Sequence, residues 1–151
     1  METFESADAI LDFAIEREQE SYEFYTGIAG KVENSNTAAM FKTFAREELG
    51  HKEKLLKAKE RKQLAVAPSA VTDLKIGDYL VDIEPYPGMG YQEALILAMK
   101  KEKVAFRLYN DLSEKTDDES LRSLFHSLAL EEAKHKLRFE LEYDEYVLKE
   151  N

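Results

Sequence analysis

The sequence predicts an all-α fold, a four-helix bundle of two repeated helical hairpins joined by a long crossover, and three observations point to it. First, a block of residues recurs without a gap at one constant offset. Ala14, Glu18 and Tyr25 fall on Ala98, Glu102 and Tyr109, while Phe41, Ala45, Glu47, Glu48 and His51 fall on Phe125, Ala129, Glu131, Glu132 and His135. Second, the apolar residues of all four segments return at three- and four-residue spacing, the period of one helix face. Third, the prolines Pro68, Pro85 and Pro87 all lie in the one stretch that breaks this pattern, about Leu64 to Gly90. A lone hairpin would leave its apolar stripe in water, so the two halves pack face to face.

Helix one is expected from about Ser6 to about Val32, with Leu11, Ala14, Glu18, Tyr22, Tyr25 and Ala29 on its stripe. The turn Glu33-Asn34-Ser35-Asn36 supplies caps for helix two. Its stripe passes through Phe41, Phe44, Glu48, His51 and Leu55, and its charged tail, Lys57 to Gln63, places cations where the helix dipole favours them. The connection that follows is too long to lack structure, and Val71 through Leu80 is expected to form a short helix. Helix three runs from about Tyr91 to Lys115, with Leu95, Ala98, Glu102, Ala105, Tyr109 and Leu112 on one face. Asp117 or Asp118 caps helix four, whose face of Phe125, Leu128, Glu132, His135, Phe139 and Tyr146 reaches almost to the last residue. A two-fold relation between the hairpins makes helices two and three parallel. The link must then travel roughly 42 Å, the length of a helix of about 28 residues, which it can do at about 3.3 Å per residue.

With 151 residues, 44% of them hydrophobic, the chain suits a single domain over 1–151 with a full-sized core. A formal net charge of −10 argues against nucleic acid or an anionic membrane as partner, and no apolar run approaches the roughly 20 residues of a membrane span. Met1-Glu2-Thr3-Phe4-Glu5 lacks the basic and apolar regions of a secretory leader, so the expected location is cytoplasmic. The absence of cysteine excludes disulfides, thiolate metal sites and a cysteine nucleophile. Any metal is held by oxygen and imidazole.

Residues at i and i+3 share a helix face, so Glu48-x-x-His51 and Glu132-x-x-His135 each present a carboxylate and an imidazole to one point. Glu18 and Glu102 interrupt stripes that are otherwise apolar. All four glutamates fall near the middle of their helices and therefore meet at one height whichever way each helix runs. Four carboxylates in a dry core carry a heavy desolvation cost unless neutralised. Two divalent cations neutralise them, which makes Glu18, Glu48, His51, Glu102, Glu132 and His135 a ligand set of the dinuclear carboxylate kind. One imidazole per metal among carboxylates suits iron or manganese better than copper, calcium or magnesium. Spacing alone does not separate iron from manganese, and zinc is an adventitious occupant. Tyr25 and Tyr109 follow Glu18 and Glu102 on the same stripe and are either core aromatics or hydrogen-bond donors to a ligand carboxylate. Glu47 and Glu131 stand about 100° off the stripe and are outer residues that hydrogen-bond to neighbours. His126, on the opposite face from His135 and aligned with Lys42, belongs to the surface.

Through Ala14-x-x-x-Glu18-x-x-x-x-x-x-Tyr25 with Glu48-x-x-His51, and Glu102-x-x-x-x-x-x-Tyr109 with Glu132-x-x-His135, the chain resembles the ferritin-like di-iron carboxylate proteins and, among them, the rubrerythrin-like branch. The resemblance implies that Glu48 and Glu132 bridge two irons, that Glu18 and Glu102 are terminal ligands, and that His51 and His135 bind one iron each. It also implies oxidation of ferrous iron by hydrogen peroxide or dioxygen, and a homodimer. Rubrerythrins proper add a cysteine-rich rubredoxin-like domain, absent here, and a further glutamate where this chain has Ala105. Those departures bring the ligand set closer to a bacterioferritin, yet the fifth helix of ferritin cages is missing, which argues against a storage shell. The expected function is a di-iron oxidoreductase of peroxidase or ferroxidase type that is re-reduced by an external electron donor protein. Iron storage, a di-iron hydroxylase, a di-manganese catalase and a bundle with purely structural metals are the competing readings.

Overall fold

The computed structural model describes residues 3–4, 6–61 and 74–150, without the side chain of Glu150. Among them are four α-helices, α1 (Ala7–Ala29), α2 (Ser35–Glu60), α3 (Tyr91–Lys115) and α4 (Glu119–Glu150). Short polar side chains set three of the starts. Ser6 Oγ accepts from the Ala9 amide at 3.1 Å, Asn34 Oδ1 from the Asn36 and Thr37 amides at 2.9 and 3.0 Å, and Asp118 Oδ1 from the Leu121 amide at 2.9 Å. Of the two aspartates expected to cap the last helix, Asp118 makes that bond.

α1 ends at Ala29 rather than near Val32. Gly30 is its C-cap, and the amides of Lys31 and Val32 both turn back to the Ile28 carbonyl at 2.9 and 3.1 Å, since glycine is a poor residue for a helix interior. The charged tail expected to reach Gln63 is helical to Glu60, and residues 62 and 63 lie outside the described set. In place of the short helix expected over Val71 to Leu80 stands one 3-10 turn, Ile76–Tyr79, while residues 71–73 again lie outside the described set. Lys75 pairs with Thr3 in an isolated β-bridge, and Tyr79 stacks on Phe4 at 6.2 Å and donates to Asp111 Oδ2 at 2.6 Å. The crossover is thus still at the end of the bundle where α1 begins and α3 finishes.

Contacts across the bundle establish the helix directions. Lys52 donates to Gln19 at 2.7 Å and Lys59 to Asp12 at 2.5 Å, so α1 and α2 are antiparallel. Tyr91 packs on Tyr146 and Tyr109 on Phe125, with centroids 5.2 and 6.4 Å apart, so α3 and α4 are antiparallel too. Between the hairpins, Tyr25 donates to Glu102 and Tyr109 to Glu18, which sets α1 against α3. It follows that α2 and α3 run parallel, as the two-fold relation requires, and residues 80–90 carry the chain back along the bundle.

Two apolar clusters fill the ends of the bundle. Leu11, Leu55, Tyr109, Leu112 and Phe125 belong to one; Tyr25, Phe41, Leu95 and Phe139 belong to the other. The Glu and His layer lies between them. α1 packs closely on α2 and α3 on α4, but α1 and α3 touch only sparsely. The space they leave is a cavity of about 790 Å³, walled on its open side by residues of the returning crossover. Among the described residues, no helix is long and apolar enough to cross a membrane.

Candidate metal centre

Each helix delivers its mid-point glutamate to the layer between the two clusters. Glu18, Glu48, His51, Glu102, Glu132 and His135 are all 3% exposed or less. His51 Nδ1 lies 3.1 Å from Glu132 and 3.6 Å from both Glu18 and Glu48. His135 Nδ1 lies 3.2 Å from Glu48, 3.6 Å from Glu102 and 3.9 Å from Glu132. Ligand atoms of Glu18, Glu48, His51 and Glu132 all fall within 4.8 Å of one another, and so do those of Glu48, Glu102, Glu132 and His135. Glu48 and Glu132 are common to both sets.

The fit of these residues to cations rests on their unmet hydrogen bonds. Glu18 Oε2, both oxygens of Glu48, Glu102 Oε2, Glu132 Oε1 and the Nδ1 atoms of His51 and His135 are buried without a hydrogen-bond partner. Folded cores leave few polar atoms in that condition. Here they converge from six side chains on one small volume, and divalent cations bound there would satisfy them together. Glu18, Glu48, His51 and Glu132 would hold one ion and Glu48, Glu102, Glu132 and His135 the other.

The far nitrogen of each imidazole is anchored across the bundle. His51 Nε2 is 2.5 Å from Glu131 Oε2, and His135 Nε2 is 2.5 Å from Glu47 Oε2. Each of these glutamates belongs to the other hairpin and has its side chain 40% and 44% exposed respectively. An Nε2–H donated to a carboxylate leaves the Nδ1 lone pair for a metal and makes it more basic. Glu47 and Glu131 are outer residues, as expected, but their long side chains reach around the helix to orient the site. Their place in the repeat beside Glu48 and Glu132 was the signal that they matter. The two tyrosines are both core aromatics and donors: Tyr25 and Tyr109 are fully buried, and their hydroxyls bond Glu102 and Glu18 of the opposite hairpin. His126 is exposed, as is Lys42.

Protonation follows from the same geometry. Burial, reinforced by the charges of the neighbouring carboxylates, pushes Glu48 and Glu132 well above the usual carboxylate range. For the imidazoles burial acts the other way, but it is outweighed. Glu18 and Glu48 raise His51 to about 10, and Glu102 and Glu48 raise His135 to about 11. Burial, then the facing carboxylates, pushes Tyr25 and Tyr109 up, so both phenols keep the protons they donate. On Glu131 burial is opposed by the bond and charge of His51, and the carboxyl is held low. Without metal, the cluster holds protons where cations fit.

Four helices meeting in a buried layer of carboxylates and two imidazoles define a ferritin-like bundle protein. Within that class a family model described as Rubrerythrin matches residues 9–143, and the chain belongs to the rubrerythrin family. No curated protein and no solved structure gave a match.

Proposed function

We propose that the protein is a di-iron oxidoreductase that oxidises Fe(II) at this centre with hydrogen peroxide or dioxygen, is re-reduced by an external donor protein and works as a homodimer. The observation that carries the reading is that two four-residue sets of mutually close ligand atoms share Glu48 and Glu132. A bridging carboxylate pair is what two metals acting together require. When bound, the two irons supply one electron each, which reduces one hydrogen peroxide to two waters with the uptake of two protons. The residues do the rest. Glu47 and Glu131 hold the imidazoles in one tautomer, Tyr25 and Tyr109 fix Glu102 and Glu18 by hydrogen bonds, and the apolar clusters on either side exclude water from both ends. No cysteine is present to relay electrons inward.

The test is anaerobic loading with Fe(II), then stopped-flow absorbance in the near ultraviolet after mixing with peroxide or dioxygen, with a count of oxidant consumed. The expected outcome is two irons per chain, one rapid oxidation, and no further turnover until a small redox protein and reductant are added. Sustained peroxide loss without reductant would replace the proposal with a catalase, and uptake of tens of irons per chain with a store. Failure to consume either oxidant would leave the metals structural.

A further inference from the structure

The cavity between α1 and α3 is a second feature of the molecule, wider than the metal centre it adjoins. Its volume of about 790 Å³ lies in the range of organic ligand pockets. Much of its wall is apolar, with Phe24 and Ile28 from α1, Ala94 and Ala105 from α3, and Ile83 and Met89 from the crossover. Peroxide or dioxygen requires no such volume.

Two cations look into this space. Lys101 is half-buried, lies 5.6 Å over the Phe24 ring, and makes no ion pair among the described residues. Arg17 also lines the cavity, and its Nε is buried without a hydrogen-bond partner. Arg17 and Lys101 are counterparts in the repeat, so the bundle presents one cation from each flanking helix. Of the carboxylates that also line the cavity, Glu20 accepts from Arg17 Nη2 at 2.9 Å and Glu23 from Gln19 at 3.3 Å, Glu84 is exposed, and Glu18, Glu48 and Glu132 belong to the Glu and His layer. An unpaired donor and an unpaired ammonium at the edge of an apolar chamber complement a ligand with an anionic head and an apolar body.

We propose that this cavity binds an amphiphilic organic carboxylate, its carboxylate between Lys101 and Arg17 and its hydrocarbon against Phe24, Ile28 and Met89. Ala105 contributes to the fit by keeping that wall small and uncharged. The site lies beside Glu18, Glu48 and Glu132, which also reach the cavity wall, so its occupant shares the space through which small molecules approach the centre.

Gly27 provides the blocking variant, because a Cβ built there meets nothing within 4 Å and the position faces the cavity. The experiment is calorimetric titration of octanoate, and in parallel octan-1-ol, into the full chain, both chelator-treated and zinc-loaded. Saturable binding of one octanoate per chain is expected. Lys101→Met should weaken octanoate about tenfold, the loss of one charge-assisted hydrogen bond, and leave octanol unchanged, while Lys101→Arg retains octanoate. Gly27→Phe should abolish binding of both while keeping the melting temperature. Absence of saturable octanoate binding, equal affinity in Lys101→Met, or full binding by Gly27→Phe would overturn the proposal. Neither arm uses iron or an oxidant, so the result is independent of the redox reading.

Discussion

In Glu131-Glu132 and Glu47-Glu48 two identical side chains one position apart have different fates, because one step along a helix is a rotation of about 100°. The second of each pair is buried, with both oxygens of Glu48 and Oε1 of Glu132 unsatisfied, and the first stands half in water and holds a histidine of the other hairpin. Residue periodicity identified the buried set correctly as a cluster, since a glutamate on an apolar stripe is conspicuous. It did not show which imidazole each outer glutamate reaches, because that partner lies across the bundle and not along the helix. If the pair orients the ring, Glu131→Gln, which keeps the shape but loses the charge, should lower metal affinity by about 10- to 100-fold, measured by competition with a chromophoric chelator. Glu132→Ala should impair both metals, and His126→Ala neither. Equal losses in Glu131→Gln and His126→Ala would remove the orienting role.

Among the elements, α4 has a second face. Leu130, Leu137, Leu141 and Leu148 are all about half exposed or more, and at 100° per residue they fall within about 20° of one line. A row of exposed leucines along one line of an outer helix face suits an interaction surface, and this one is self-complementary. In an antiparallel pairing of two copies, Leu130 lies opposite Leu148 and Leu137 opposite Leu141, with Lys134 of each copy beside Glu145 of the other. The homodimer in the proposed function is therefore expected to form through α4. Sedimentation of the wild type should give a dimer, and Leu137→Glu with Leu141→Glu a folded monomer. A double variant that still sediments as a dimer would move the interface elsewhere. At this scale the helices were legible because each is long and strongly periodic. The end of α1 and the crossover were not, since a glycine and a single turn are decided by local hydrogen bonds that periodicity does not weigh.

For the whole molecule, the stability of the metal-free form is the sharpest consequence of the buried cluster. Glu48 and Glu132 are raised by burial and mutual repulsion, His51 to about 10 and His135 to about 11 by the surrounding carboxylates. A raised folded-state pKa gives stability that is complete below the unfolded value and is lost as pH climbs through the folded value. For the histidines that loss runs from the ordinary imidazole value near 6.5 up to about 10 and 11, and the carboxylates add to it in the same direction. Chelator-treated protein is accordingly expected to melt below the metal-bound form, and its melting temperature should fall further between about pH 6.5 and 10. Metal-bound protein should be much flatter, its ligands being already deprotonated. Calorimetric melts with and without chelator across that range decide it, and identical curves would mean that the cluster is not buried with its charges unmet. The directions of all four helices followed from the internal repeat. The cavity did not, because its width depends on how far α1 stands from α3 under the crossover, and no pattern within one helix encodes that distance.

The exchange of partners between hairpins also bears on descent. A carboxylate for each histidine and a donor for each α1 or α3 glutamate come from the equivalent residue of the other half, so a hairpin of this kind finds those partners in a copy of itself. Duplication and fusion add no new chemistry to such a pair; they make its meeting intramolecular. What fusion permits is a difference between the copies at places the shared centre does not constrain, and on the cavity side Ser21 and its counterpart Ala105 differ.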